Sequence, residues 1–440
     1  MSSASHIQLD INVVSKWGRH EVVVKLGDRV IFADRIDVAS ARSRKSFVKH
    51  LKDALPGLSA EDLSRLEQQL LDKAGGPHRR PAATADPVEV DIRQVIRPEQ
   101  FHTPGASGIT IPVQLDIGGK LERAGKTHVR YADGQRSVIE LNERLEVPGV
   151  GTLYVCPSQA IPVAVGGPAW SANARKKWLE GEPAPTASDL FRKLCIQINR
   201  FIDLPAPTRK GTLAAVALWI MLTYCYLAWP AIPYLNISGP IGSGKTRLLA
   251  VLAKLVFGPH VSSNMTGPAL FRTLHTQGGT LLYDEAERLR EFTPEMQELR
   301  SMLLAGYKRG GRATRLDKVG ETYQPTQFDV YGPKALACIQ GLPPVLASRC
   351  IEVRLLRAEP DSNRARRRID GDDVRWQGLR DHLHSFALEY GPCFHQRAED
   401  HQVVPANVSN RNLELWQPLL ALAALAESHG AGGLGPQGST

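Results

Sequence analysis

Residues 234–257 read YLNISGPIGSGKTRLLAVLAKLVF, and no other stretch restricts the possible folds as tightly. Five residues of strand character, Tyr234–Ser238, run into Gly239-Pro240-Ile241-Gly242-Ser243-Gly244-Lys245-Thr246. Arg247–Phe257 then repeats apolar residues at helical spacing. This is the strand, G-x-x-x-x-G-K-T, helix order in which a backbone loop cradles phosphates. Glycines let the loop curl so that successive N–H groups point at the anion, and the helix N-terminus adds its positive dipole end. Lys245 is placed to neutralise β- and γ-phosphate charge, and Thr246 to offer its hydroxyl to Mg²⁺. The pattern predicts an α/β core on a parallel sheet, with ATP and Mg²⁺ as its ligands.

A second segment completes the set. Thr280-Leu-Leu-Tyr-Asp284-Glu285 is a short buried-strand pattern ending in two carboxylates. At the C-terminal edge of a parallel sheet both would face the phosphates. Asp284 is expected to hold Mg²⁺, largely through water, and Glu285 to orient and polarise the attacking water. A hydrophobic run before Asp-Glu is common by itself; downstream of the phosphate loop it gains weight.

With these motifs in place the chain resembles the AAA+ ATPases. Lys334–Ile339 reads as another buried strand and ends at Gln340, where that family carries a polar sensor, usually Asn or Thr rather than Gln. Leu346-Ala-Ser-Arg349-Cys350 precedes the strand Ile351–Leu355, and the resemblance makes Arg349 an arginine finger offered to a neighbouring subunit's nucleotide. A planar guanidinium that stays charged suits that task. Arg411 opens a helix in the region where AAA+ lids carry a second sensor arginine, which implies a nucleotide contact there as well. More narrowly, residues 230 to about 425 are similar to ATPase domains of plasmid, phage and integrated-element replication proteins, many of them described as helicases. The runs Tyr331–Pro343 and Asn410–Ala423 carry that likeness. It implies a ring-forming homo-oligomer, for instance a hexamer, acting on DNA.

Tyr307-Lys308-Arg309-Gly-Gly-Arg312-Ala-Thr-Arg315-Leu-Asp-Lys318 holds five basic residues against one acidic around a Gly-Gly turn. In hexameric helicases resembling this core a hairpin here enters the central pore. Lys308, Arg309, Arg312, Arg315 and Lys318 are accordingly candidates for DNA-backbone contact. A solvated loop, or one touching ATP across a subunit boundary, is the plainer alternative. The net charge of +9 favours anionic partners without choosing one.

The remaining chain divides by composition. Residues 1–74 read as a small α/β module, 75–88 as a Gly/Pro/Ala-rich linker, and 89–187 as a β-rich intermediate domain. A helical segment, 188–232, leads to the ATPase core at 233–358, followed by a helical lid at 359–428 and a flexible tail at 429–440. Thr212–Trp229 is apolar enough to suggest a membrane span, but Pro230 and Pro233 close it and the phosphate-loop strand starts at once, so a buried helix is expected. Six scattered cysteines without a C-x-x-C pair read as reduced thiols, and the N-terminus lacks a signal-peptide pattern; a cytoplasmic protein without membrane attachment is expected. Two functions compete: a DNA-translocating ATPase of a mobile element, or a nucleotide-gated loader, remodelling or defence ATPase acting on proteins. A metabolic P-loop kinase is disfavoured, because the Asp-Glu pair and Arg349 suit hydrolysis between subunits.

Overall fold

The computed structural model describes residues 10–16, 19–26, 29–36, 41–55, 58–74, 92–96, 100–117, 120–140, 144–147, 151–155, 170–263, 266–319, 322–359, 361–369, 373–399 and 410–429. The expected linker at 75–88 and nearly all of the expected tail lie outside the described residues. Contacts divide the chain into two units, Met1–Val90 and Asp91–Thr440.

In the first unit the strands β1 (Asp10–Lys16), β2 (Arg19–Leu26) and β3 (Arg29–Ile36) form an antiparallel sheet, followed by α1 (Ala41–Ala54) and α2 (Ala60–Ala74). Val22, Val24 and Ile36 from the sheet share a core with Phe47, Leu51, Leu66 and Leu70 from the helices. Ser59 caps α2 as its S-x-x-D pattern suggests: Asp62 N donates to Ser59 Oγ at 3.1 Å, and Ser59 N returns a bond to Asp62 Oδ2 at 3.2 Å.

The second unit begins with β strands. β4 (Ile92–Ile96) joins a small sheet with β9 (Arg144–Val147) and β10 (Gly151–Val155). β5 (Gln100–His102), β6 (Ala106–Ile117), β7 (Lys120–Tyr131) and β8 (Arg136–Glu140) form an antiparallel four-stranded sheet. Asp133-Gly134 makes the β7–β8 turn, with Gly134 at φ 102°. Helices α3 (Ala172–Leu179), α4 (Ala187–Phe201) and α5 (Arg209–Thr223) follow, then a 3₁₀ turn at Tyr226–Ala228. Every residue of α5 from Val216 to Thr223 is buried, in a core shared with α4. Among the described residues no helix is long and apolar enough to cross a membrane.

The next part of the chain contains β11 (Tyr234–Ser238), α6 (Lys245–Leu255), β12 (Pro259–Ser262), α7 (Gly267–Gln277), β13 (Thr280–Tyr283), a 3₁₀ turn at Ala286–Arg290 and α8 (Pro294–Ala305). A hairpin of β14 (Arg312–Val319) and β15 (Thr322–Asp329) precedes β16 (Lys334–Cys338), α9 (Pro344–Ala347) and β17 (Cys350–Arg354). The order β12-β13-β16-β11-β17 forms one five-stranded sheet, parallel at each pairing. Every residue of β11, β13 and β16 is buried, as expected for strands covered on both faces. Alternate residues feed two cores: Leu235, Ile237, Ala335 and Val353 pack on the α5–α6 side, and Tyr234, Leu281, Tyr283 and Leu336 on the α7–α8 side.

The short α10 (Asn363–Arg366), the long α11 (Val374–Glu399) and α12 (Asn410–Ser428) end the described chain. α11 and α12, expected as a lid, pack on α4 and α5, and α11 also covers β6. Glu389 of α11 takes bonds from Arg130 Nη2 at 2.8 Å and Nε at 3.1 Å, and the Arg130 guanidinium holds its carboxyl below the usual range. His384 of α11 stacks on Trp170, 5.6 Å between centroids and 4° between planes. Burial lowers its pKa to about 4.

Candidate nucleotide site

In a parallel sheet all strands end on the same side, and the expected phosphate and metal groups gather along this C-terminal edge. After β11 the chain turns through Gly242 (φ 79°) and Gly244 (φ 90°), left-handed conformations that other residues adopt only with strain. Gly239 is required for space: a Cβ there would lie 2.4 Å from Leu355 O and 2.7 Å from Ser243 Oγ. Gly244 precedes α6 and supplies no capping side chain, which leaves the first-turn N–H groups available to an anion. Lys245 Nζ donates to Gly239 O at 2.8 Å and Pro240 O at 3.0 Å. That curls it back over the loop with one N–H to spare.

Thr246 Oγ1 donates to Asp284 Oδ2 at 2.7 Å, joining the two motifs across 38 residues of sequence. A hydroxyl and a carboxylate converging on one spot are the hard oxygen donors that Mg²⁺ prefers, so this donor set fits the ion. Asp284 Oδ1 accepts from Glu285 N at 3.0 Å. Glu285 has φ 56° and ψ 39° and is the one non-glycine residue with positive φ among the described residues. Such a conformation costs about 1–2 kcal/mol. It turns the chain sharply off β13, and Glu285 stands exposed there. Gln340 lies two residues beyond β16, the strand between β11 and β13, and is also exposed on this edge. Arg290 Nε donates to Gly341 O at 3.0 Å and ties the turn after Glu285 to the Gln340 loop.

Arg349 and Arg411 are elsewhere. Arg349 comes immediately before β17, and its carbonyl accepts from Tyr234 N at the start of β11, 3.0 Å away. It therefore stands at the N-terminal edge, about 15 Å of strand from the phosphate loop. Its guanidinium lies 4.9 Å from the Tyr307 ring centroid, and Nη1 donates to Val345 O. Arg411 Nη1 donates to Ser348 Oγ at 2.7 Å, beside Arg349. Arg411, expected at a nucleotide, thus stands on the edge opposite its own subunit's loop, because α12 packs on α4 and α5 and carries it there.

The basic segment splits in the same way. Lys308 pairs with Glu414 of α12 at 2.7 Å, a bond that raises the Lys308 pKa. Arg309 N donates to Pro230 O at 2.8 Å, so its backbone also sits at the N-terminal edge, with its side chain exposed. Neither residue is on the hairpin. On β14, Arg312 Nη1 donates across to Gln327 Oε1 at 2.5 Å, and Arg315 pairs with Glu298 at 2.6 Å while lying 5.6 Å from the Phe271 ring centroid. Lys318 pairs with Tyr323 through the backbone register, and its side chain lies outside the described part. Leu316, between these cations, is 67% exposed.

Two residues here were not anticipated. Lys334 is 1% exposed, and its Nζ donates to Val330 O and Gly332 O at 2.9 Å and Gly306 O at 3.3 Å. A strand pattern that opens with Lys was the available hint. Arg357 donates from Nε to Ile241 O at 2.9 Å, directly on the phosphate loop, and no motif marks it.

No protein-family model matches the sequence, and a search of curated proteins finds no match. Among solved structures the chain is similar to the JCV helicase bound to a thiazolopyridine acetamide, with 14% identity and a TM-score of 0.28 over 56% of this chain and 77% of that one. A second JCV helicase structure gives 14% identity and a TM-score of 0.26 over 55% and 60%. The apo NrS-1 C-terminal region gives 12% identity and a TM-score of 0.28 over 69% and 86%. Likeness this distant leaves function to the residues of the site.

Proposed function

We propose that the chain is an ATP-hydrolysing motor of the AAA+ kind, a DNA helicase or replication ATPase, whose catalytic set is completed between copies of itself. The observation that carries the ATPase reading is the 2.7 Å bond from Thr246 Oγ1 to Asp284 Oδ2 beside the Lys245 loop. In this reading the loop amides and Lys245 bind and orient the triphosphate. Thr246 and Asp284 would hold Mg²⁺, which neutralises phosphate charge when bound. Glu285 accepts the proton of the attacking water, and its exposed position admits that water. Arg349 stands too far from its own loop to act there, so it serves a neighbour's γ-phosphate. A closed homo-oligomeric ring provides that neighbour for every loop. Gln340, exposed on the same edge as Asp284, would sense the γ-phosphate in this reading.

DNA as the polymer rests on the basic segment 308–318. The ion pairs of Lys308 and Arg315 favour a second reading, an ATPase that loads or remodels protein partners. Purified chain should hydrolyse ATP with Mg²⁺, and Glu285→Gln should bind ATP while hydrolysing it about a hundredfold more slowly or worse. Weak binding together with weak hydrolysis would make Glu285 structural or metal-holding instead. Stimulation of the wild-type rate by single-stranded DNA supports the motor; a DNA-independent rate supports the second reading.

A further inference from the structure

We infer that Arg357 is a second phosphate-binding cation of the same subunit; this rests on the nucleotide-site reading above. The chain leaving β17 is locked to the start of the phosphate loop. β17 pairs with β11 so that Arg354 lies opposite Ser238, and Leu355 N donates to Ser238 O at 2.8 Å. The Leu355 carbonyl presses on Gly239 so closely that any side chain there would collide with it. Two residues later Arg357 Nε bonds Ile241 O at 2.9 Å and lies 3.9 Å from where a Cβ of Gly242 would be.

That single bond leaves most of the guanidinium uncommitted. Among the described residues Nη1 and Nη2 have no hydrogen bond or ion pair, and Arg357 is exposed. A guanidinium held by Nε still offers four N–H donors in a fixed fork, the geometry that matches phosphate oxygens. The loop then carries two cations, Lys245 from within and Arg357 from the returning chain after the last strand. Both bond loop carbonyls.

Full-length protein tests the idea by calorimetric binding of ATP and ADP to wild type, R357A, R357Q, R357K and K245A, each at several salt concentrations. Loss of a charge-assisted bond to phosphate should weaken nucleotide binding about tenfold or more in R357A. R357Q should lose as much, since glutamine can still donate to Ile241 O but carries no charge. R357K should keep most of the affinity. Binding by R357A and R357Q should also become less salt-sensitive than wild type. Wild-type affinity in R357A, with K245A inactive, would overturn the assignment and leave the phosphate-loop reading standing. Full affinity and salt dependence in R357Q would overturn it too, and reduce Arg357 to a brace for the loop. Unchanged binding in K245A would remove the phosphate-loop reading and this inference with it.

Discussion

The two edges of the central sheet carry the candidate residues in contrasting ways. At the C-terminal edge the first turn of α6 has no capping side chain, Glu285 and Gln340 are exposed, and Thr246 and Asp284 bond each other. At the N-terminal edge the cations are engaged: Arg349 with Tyr307 and Val345, Arg411 with Ser348, Lys308 with Glu414. One edge, the proposed receiving edge, leaves polar groups open, and the other ties its charged groups into bonds. Because the strands run parallel, no single copy can bring the two edges together. The contrast between them is what the proposal of a site shared by two copies rests on.

Lys245→Ala removes the fixed counter-charge at the receiving edge and should abolish ATP hydrolysis, read as phosphate release. A wild-type rate in that variant would mean this edge is not the nucleotide site.

Arg349→Ala should lower turnover by about a thousandfold while ATP binding is nearly retained. Mixing inactive Lys245→Ala with inactive Arg349→Ala should restore part of the activity, since some boundaries then pair an intact loop with an intact arginine. Subunit exchange is confirmed first by mass. No recovery at any ratio, with exchange shown, would return Arg349 to a structural role.

If the β14–β15 hairpin tracks a phosphate backbone, replacing Arg312, Arg315 and Lys318 by Ala should weaken single-stranded DNA binding. The slope of log affinity against log salt should flatten by up to about 2. An unchanged slope would leave Arg315 as the partner of Glu298 and nothing more.

The smallest effect is expected for Arg411→Ala. On the far edge it should change ATP affinity of the isolated subunit by no more than about twofold, as for an ordinary surface substitution. A larger loss would show that α12 swings Arg411 towards its own nucleotide.

Much of the C-terminal edge is readable in the sequence. Its groups follow short-range rules: the φ > 0 positions at Gly242 and Gly244, a helix that starts at Lys245, a strand that ends at Tyr283 just before Asp284. The Ser59–Asp62 cap and the buried α5 followed from local patterns in the same way. The basic segment was less legible, because a string of cations looks alike whether its partners are phosphates or the carboxylates of Glu298 and Glu414. Those carboxylates are 17 and 106 residues away in sequence.

The sequence by itself therefore determined the loop, its carboxylate pair and the strand–helix alternation around them, since each depends on backbone conformation and hydrophobic period within a few residues. Only the tertiary structure decided that Arg411 stands beside Ser348 and that Arg357 stands on Ile241. Both placements follow from which way the strands run and where α12 packs. Pairings across 63 and 116 residues leave no periodic trace in the chain. A guanidinium on a long side chain is compatible with many surfaces until the packing of the elements brings one of them within 3 Å.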